Sequence, residues 1–243
     1  MTNKKLKIAI IGYGRFGKLL TKILQPFGEI FILHYKKLEN LNIKQIKYSD
    51  LKDIDWVIPC VPISVLEKIL QKINPYLKKN SLVMDVCSVK VYPSQWLEKY
   101  ISKEINILAS HPMFGPDSAK QGLKNLQIVF CPLRISQEKL NLITNIFQEL
   151  KLKIITTTPE NHDQQVAKSL ALVHFIGRGL GEMNIGNQKI TTLGFERLLK
   201  VNETVNNDTL ELFFDMHRFN PYTEKIRQEF IDSLKKLNKL IKS

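Results

Sequence analysis

Short apolar runs separated by amphipathic stretches fill the first two thirds of the chain. Residues 7–11 (KIAII) are apolar and β-branched, and 29–34 (EIFILH), 56–61, 82–86, 105–109, 127–131 and 153–157 repeat that character, so each is predicted to form a short buried strand. Residues 18–24, 65–73, 94–101 and 138–150 lie between most of these runs and carry apolar side chains at helical spacing. Pro26 and Gly28 end the first of these helices. Such alternation predicts an α/β fold, a Rossmann-type, mostly parallel sheet covered on both faces. Beyond Thr158 every segment has helical periodicity. Pro159-Glu160-Asn161-His162-Asp163 reads as a helix entrance, followed by a long helix to about Gly181, where glycines interrupt it, and by shorter helices at 192–203, 208–219 and 221–242. The expected division is a sheet domain over residues 1–158 and a smaller all-helical domain over 159–243. A helical piece of about 85 residues has a limited core, so its apolar faces are expected to pack on the first domain, on a second subunit, or on both.

Composition narrows the class. With 44% hydrophobic and 24% charged residues the chain reads as globular, and no stretch approaches the roughly 18 consecutive apolar residues of a membrane span. The apolar run 8–11 is shorter than the h-region of a secretory signal, about 7–15 residues, so the cytoplasm is the expected compartment. Cys60, Cys87 and Cys131 are far apart and lack CxxC spacing, which predicts reduced thiols and neither a disulfide framework nor a metal site. The formal charge of +13 is unevenly placed: residues 1–158 carry 24 basic and 12 acidic side chains, the remainder 12 and 11. Lysines supply 30 of the 36 basic residues, so part of the excess follows from lysine-rich usage and part fits the steering of anionic small molecules. Scattered lysines without finger spacing or interleaved aromatics argue against nucleic acid as a partner.

Residues 12–17 read Gly-Tyr-Gly-Arg-Phe-Gly, between a predicted strand and a predicted helix. In that setting Gly12 permits the tight turn, Gly14 lets backbone approach a diphosphate, and Gly17 allows close helix–strand packing, with the anion at the helix N-terminus beside Arg15 and Phe16. The competing reading is an ordinary glycine turn. An NAD-preferring fold places an Asp or Glu at the end of the second strand. Here that end reads His34-Tyr35-Lys36-Lys37, which would attract a ribose 2′-phosphate, so Tyr35, Lys36 and Lys37 are assigned to cofactor binding and NADP is expected over NAD.

Two further loops are expected to open at the carboxyl edge of the sheet: Asp85-Val86-Cys87-Ser88-Val89-Lys90 and Ser110-His111-Pro112-Met113-Phe114-Gly115-Pro116. A histidine there has an unperturbed pKa suited to general-base work, although pattern alone leaves it equally a histidine satisfied within a loop. Cys87 reads as a small packing residue.

With these motifs the chain resembles the TyrA family, the prephenate and arogenate dehydrogenases, and more particularly its plant-type arogenate branch. The resemblance runs almost end to end through the glycine loop, DVCSVK, SHPMFGPDSAKQG, Asn161-His162-Asp163, Val173-His174-Phe175-Ile176-Gly177-Arg178 and Gly194-Phe195-Glu196. It implies NADP-linked oxidative decarboxylation of a cyclohexadienyl acid without a metal, with His111 as base and Ser88 orienting it. It further implies substrate contacts at Asp117 and His174. In plant-type enzymes an Asp commonly stands where this chain has Gln121, and in many prephenate enzymes an Arg stands where it has Lys200. Both departures point toward prephenate or dual use. A homodimer built through the helical domain is the family expectation. Two other readings share the architecture: a β-hydroxyacid-type NADP oxidoreductase using a helix lysine, for which Lys168 is the candidate although Leu172 stands where that family has Asn, and a non-catalytic NADP-binding sensor.

Overall fold

The computed structural model describes residues 5–39 and 42–242 and divides into two compact units, Met1–Pro159 and Glu160–Ser243. The first unit holds an eight-stranded sheet of β1 (Leu6–Ile11), β2 (Gly28–Leu33), β3 (Lys44–Gln45), β4 (Trp56–Pro59), β5 (Leu82–Met84), β6 (Asn106–Pro112), β7 (Gln127–Arg134) and β8 (Lys153–Thr156). Its order is β3-β2-β1-β4-β5-β6-β7-β8, and every neighbouring pair is parallel except β6 and β7. The chain starts in the middle with β1, winds outward through β2, then returns to place β4 on β1's other side. That reversal of winding opens a crevice at the carboxyl ends of β1 and β4, where Rossmann-type sheets receive ligands.

Helices α1 (Arg15–Leu24), α2 (Ile63–Ile73), α3 (Val91–Tyr100) and α4 (Gln137–Glu149) make the crossovers. The central strands are buried along their length, Ile8, Ile10, Ile32, Val57 and Ile58 among them, as expected of strands covered on both faces. Trp56, Phe130 and Phe147 form one packed aromatic group, Phe147 meeting Trp56 edge-on at 6.2 Å and Phe130 at 5.7 Å, and so pin α4 to the sheet.

The structure departs from the pattern-based expectation in four places. Strand β8 is not buried as expected, because it lies at the edge of the sheet with most of its residues exposed. Helix α3 starts at Val91 rather than Ser94, because Pro93 lies in its first turn, where a missing N–H costs nothing. The two-residue strand β3 falls in a polar stretch and is held mainly by pairing with β2. Strand β6 runs on to Pro112, so Ser110 and His111 are strand residues and not part of a loop. The antiparallel partner β7 keeps the ladder going, with Ser110 opposite Phe130 and His111 opposite Val129.

The second unit is helical: α5 (Pro159–Val166), a single π-helical stretch Ala167–Ala171, α6 (Leu172–Glu182), α7 (Leu193–Asn206), α8 (Leu210–Arg218) and α9 (Thr223–Ile241). Helix α6 ends at Glu182, next to Gly181, where the sequence places the interruption, and Gly177 has a packing role within it. Gly177 lets α7 come close: a Cβ there would lie 2.5 Å from the Val205 side chain, which no larger residue tolerates without a shift. Within α5, His162 Nδ1 and Asp163 Oδ1 are 2.7 Å apart and buried, and Asn220 Nδ2 donates to the Asp163 carbonyl, so this pair ties α5 to the segment between α8 and α9. Leu234, Leu237 and Leu240 are exposed at three-residue spacing along α9. Replacing Phe147 by Ala should lower unfolding free energy by about 3–5 kcal/mol in urea titration, and a loss below about 1 kcal/mol would show that α4 is not anchored by this aromatic group.

Candidate active site

The glycine loop is compressed at both ends and open in the middle. Gly12 has φ +99°, its N–H donates to the Leu33 carbonyl at 2.9 Å, and a Cβ on it would meet the Cys60 carbonyl oxygen at 2.4 Å. A Cβ on Gly17 would lie 2.3 Å from the Gly12 carbonyl oxygen. Around Gly14, the N-cap of α1, nothing approaches within 4 Å of that position. The first and third glycines are thus required by packing, while the second leaves space over the first amides of a helix. This cradle fits a dinucleotide diphosphate.

A cavity of about 570 Å³ opens past the end of β2. His34, Tyr35, Lys36 and Lys37 line one side, and Gln45, Lys47, Tyr48 and Lys72 contribute from other elements, so every side chain of fixed charge in the lining is a lysine. The Gln45 amide shapes the turn, donating to the carbonyls of His34 (3.1 Å) and Lys36 (2.8 Å) and accepting from the Leu38 N–H (3.0 Å). Lys72 Nζ sits 4.2 Å from the Tyr48 ring centroid and Lys36 Nζ 5.4 Å from that of Tyr35. Neither Lys47 nor Lys72 was assigned from sequence. They reach the cavity through the tertiary fold, Lys72 from the last turn of α2.

Between β5 and α3 the chain is organised by a buried ion pair. Lys90 and Asp85 are both fully buried; Lys90 Nζ donates to Asp85 Oδ1 and to the Ser110 carbonyl, the latter at 2.5 Å. Asp85 also accepts from the N–H groups of Cys87 (2.9 Å) and Ser110 (3.2 Å), and the Ser110 hydroxyl donates back to the Asp85 carbonyl (2.6 Å). This network fastens the loop that carries Ser88 to the strand that carries His111. Ser110 faces the network, and strand alternation sends His111, 5% exposed, to the opposite face of β6. Ser88 Oγ is buried with no hydrogen-bond partner, an unmet polar group of the kind a substrate hydroxyl would satisfy. Burial, reinforced by the Asp85 charge, pushes the Cys87 thiol well above its usual range despite nearby Lys90, so this cysteine is a packing residue.

The segment after His111 is tied to the glycine loop by two contacts. Arg15 Nη2 lies 2.8 Å from Asp117 Oδ2, and the Phe16 and Phe114 rings meet at 6.4 Å. Lys120 also pairs with Asp117, at 2.8 Å, and the two cations together, Lys120 foremost, lower the Asp117 pKa to about 2. Asp117 therefore carries a full negative charge engaged by Arg15 and Lys120. Gln121 ends the short helical turn that follows and is exposed.

In the helical unit, His174 is buried on α6, its Nε2 3.9 Å from Asp208 Oδ2. Burial outweighs the opposing pull of Asp208 and depresses its pKa, with the Arg178 charge adding to the effect. Lys200 is exposed on α7 and pairs with Glu203 at 2.7 Å. Lys168 is exposed on the π-helical stretch. No group of three or more His, Cys, Asp or Glu side chains able to hold a metal occurs among the described residues, and none of their helices is long and apolar enough to cross a membrane.

Comparison with known proteins adds a family context. The sequence profile described as "Prephenate dehydrogenase, nucleotide-binding domain" matches residues 34–156, and one described as "TYRAAT1-like, C-terminal domain" matches 179–243. Over 232 residues the chain is 34% identical to "Arogenate dehydrogenase 2, chloroplastic" of Arabidopsis thaliana, a match covering 89% of this chain. It spans only 64% of that relative's length. Among solved structures, Synechocystis arogenate dehydrogenase superposes with a TM-score of 0.72 at 23% identity, covering 98% of this chain and 92% of the other. Prephenate dehydrogenase from A. aeolicus, in complex with hydroxyphenyl propionate and NAD+, gives 0.77 at 18% identity, covering 99% and 92%. These likenesses establish the fold.

Removing one member of the Asp85–Lys90 pair strands a buried charge. Lys90→Met alone should cost about 3–5 kcal/mol of stability in urea titration, and adding Asp85→Asn should recover at least about half of that loss. A single-variant loss below about 1 kcal/mol would mean that the pair does not hold the loop.

Proposed function

This chain belongs to the family of prephenate and arogenate dehydrogenases, and from that premise we propose that it catalyses oxidative decarboxylation of prephenate, arogenate or both in tyrosine biosynthesis. The products are 4-hydroxyphenylpyruvate and tyrosine respectively. The observation that carries this reading is the arrangement at one sheet edge: an open glycine cradle, the buried and unpartnered hydroxyl of Ser88, and His111 on the adjoining strand. The sheet unit is the cofactor domain in this proposal, and the helical unit supplies substrate contacts.

The substrate is a cyclohexadiene with a hydroxyl at C4 and a carboxylate on the opposite ring carbon. His111 accepts the C4 hydroxyl proton as the C4 hydrogen departs with its electron pair. A bound nicotinamide supplies the hydride acceptor. The ring carboxylate then leaves as carbon dioxide, its bonding pair enters the ring, and the His111 proton returns to the phenolate oxygen formed. Aromatisation drives the decarboxylation, so the chain's own work is to orient the base through Ser88 and keep both reactants in register. Burial of His111 in a strand limits its rotamers and favours that positioning. Lys168, on which a β-hydroxyacid mechanism would depend, is exposed, which favours the cyclohexadienyl reading.

NADP is the proposed cofactor. The lysine-lined cavity at the end of β2 supports this preference, because every side chain of fixed charge around a 2′-phosphate there is a lysine, with Tyr35 and Tyr48 as flanking faces. Gln121 and Lys200 keep the proposed bias toward prephenate or dual use. Asp117 is assigned to the mouth of the cofactor cleft through its hold on Arg15, and a homodimer through the helical unit is proposed on the exposed Leu234, Leu237 and Leu240 stripe.

Initial rates with NADP and with NAD, each on prephenate and on arogenate, test the function; no turnover of either acid overturns it. Replacing His111 by Asn should lower kcat by about 100-fold or more while leaving the cofactor dissociation constant within about twofold. Replacing Lys36 and Lys37 together by Ala should raise KM for NADP by about tenfold and leave KM for NAD nearly unchanged, and equal effects on both cofactors would remove the 2′-phosphate assignment.

A further inference from the structure

The cavity past the end of β2 holds two cations that no sequence motif marks, Lys47 and Lys72. Lys72 stands in the last turn of α2, where the ordinary role of a lysine is to face the negative end of the helix dipole. Three observations give it a further one. First, the ammonium groups of Lys36, Lys37, Lys47 and Lys72 make no ion pair with a carboxylate among the described residues, whereas Lys78, Lys120 and Lys200 each do. Four like charges at one opening repel one another, and an anion among them removes that cost. Second, Lys72 Nζ is held 4.2 Å from the centroid of the Tyr48 ring, and that ring meets Tyr76 at 6.4 Å. A cation over an aromatic face is restrained, yet its N–H donors stay available to another acceptor. Third, the cavity adjoins the glycine loop. The Gly12 N–H donates to the Leu33 carbonyl, and Leu33 lines the cavity. A dinucleotide with its diphosphate over Gly14 places its adenosine ribose past the end of the second strand.

The way each lysine is mounted ranks the four. Lys36 and Lys37 are exposed on a turn, Lys36 resting 5.4 Å from the centroid of Tyr35, a ring itself 83% exposed. Lys72 is carried by an 11-residue helix whose Ile63, Leu66, Leu70 and Ile73 are buried, and the ring that steadies its ammonium is half-buried. A charged group fixed by its own scaffold gives up less freedom when a ligand arrives than one on a mobile turn.

We infer that Lys72 is a specificity-determining residue for the cofactor, contacting the ribose 2′-phosphate of NADP, with Tyr48 as the residue that positions its ammonium and Lys47 as a second cation from the segment after β3. A phosphate monoester carries close to two negative charges at pH 7. The turn lysines match that charge in number, and the helix-borne lysine matches it in position. This inference rests on the NADP reading proposed above and adds to it the residue on which discrimination against NAD depends.

Isothermal titration of the full chain with NADP and with NAD tests the assignment, because the two ligands differ only in that phosphate. The unaltered protein should bind NADP about tenfold or more tightly than NAD. Lys72→Met should weaken NADP about fivefold or more and leave NAD within about twofold, while Lys72→Arg should stay within about twofold of the unaltered protein for both. Tyr48→Leu should weaken NADP in the same selective way, and Tyr48→Phe, which keeps the ring, should restore it. Raising the ionic strength from about 50 to about 500 mM should shrink the difference between the unaltered protein and Lys72→Met. A lysine that only faces its helix end would shift both ligands alike. That result, equal affinity of the unaltered protein for both cofactors, or a Lys72→Met protein that discriminates as before overturns the assignment. Binding is read separately from turnover, so the two proposals fail separately. Selective loss of NADP in a protein that turns over neither acid supports the role of Lys72 and removes the dehydrogenase reading. Turnover with discrimination unchanged in Lys72→Met keeps the dehydrogenase and removes the role of Lys72.

Discussion

A lysine and an aspartate with no access to water hold the centre of the sheet's carboxyl edge together. Burying such a pair is expensive, and its net contribution to stability is small or negative compared with apolar residues of the same size. Its value lies in geometry. Asp85 is saturated by Lys90 and two backbone N–H groups, and Lys90 also reaches the Ser110 carbonyl, so a loop and a strand that share no ladder at this point are fixed to each other. Ser88 and His111 inherit their placement from that bond set. The alternation of the strand then keeps Ser110, which joins the network, and His111, the base of the proposed reaction, on opposite faces.

Charge is organised at two further levels in the sheet unit. Its net excess of lysine creates a broad attraction for anions, and the cavity after β2 concentrates it with four ammonium groups at one opening. At the glycine loop the local pattern differs, since Arg15 is already engaged by Asp117. A diphosphate arriving at the start of α1 therefore meets a cation whose existing partner stands in the segment that follows His111. On the proposed function, cofactor entry would be coupled to the conformation of that segment through one side chain.

Much of this was legible from residue order, and the rest failed for identifiable reasons. Short continuous apolar runs and period-3.6 patterns located the main strands and helices because most are buried on one or both faces, while β3 escaped notice because only backbone pairing holds its two polar residues. The His111 segment reads as a loop because proline and glycine follow it closely. Pairing with β7, a contact across about twenty residues, turns its first part into strand. The glycine loop could be read residue by residue because its demands are local. Lys47 and Lys72 could not, since in a chain with thirty lysines nothing local marks the two that converge on one cavity.

The π-helical stretch Ala167–Ala171 bears on how the helical unit can change over time. An α-helix advances about 100° per residue, and a wider turn resets that phase for everything downstream. Ahead of it, α5 presents the buried His162–Asp163 pair; behind it, α6 presents His174, Gly177 and Arg178. The wide turn works as a phase setter between two faces with different duties. Single-residue insertions or deletions in the helix before it would rotate the following face as a block.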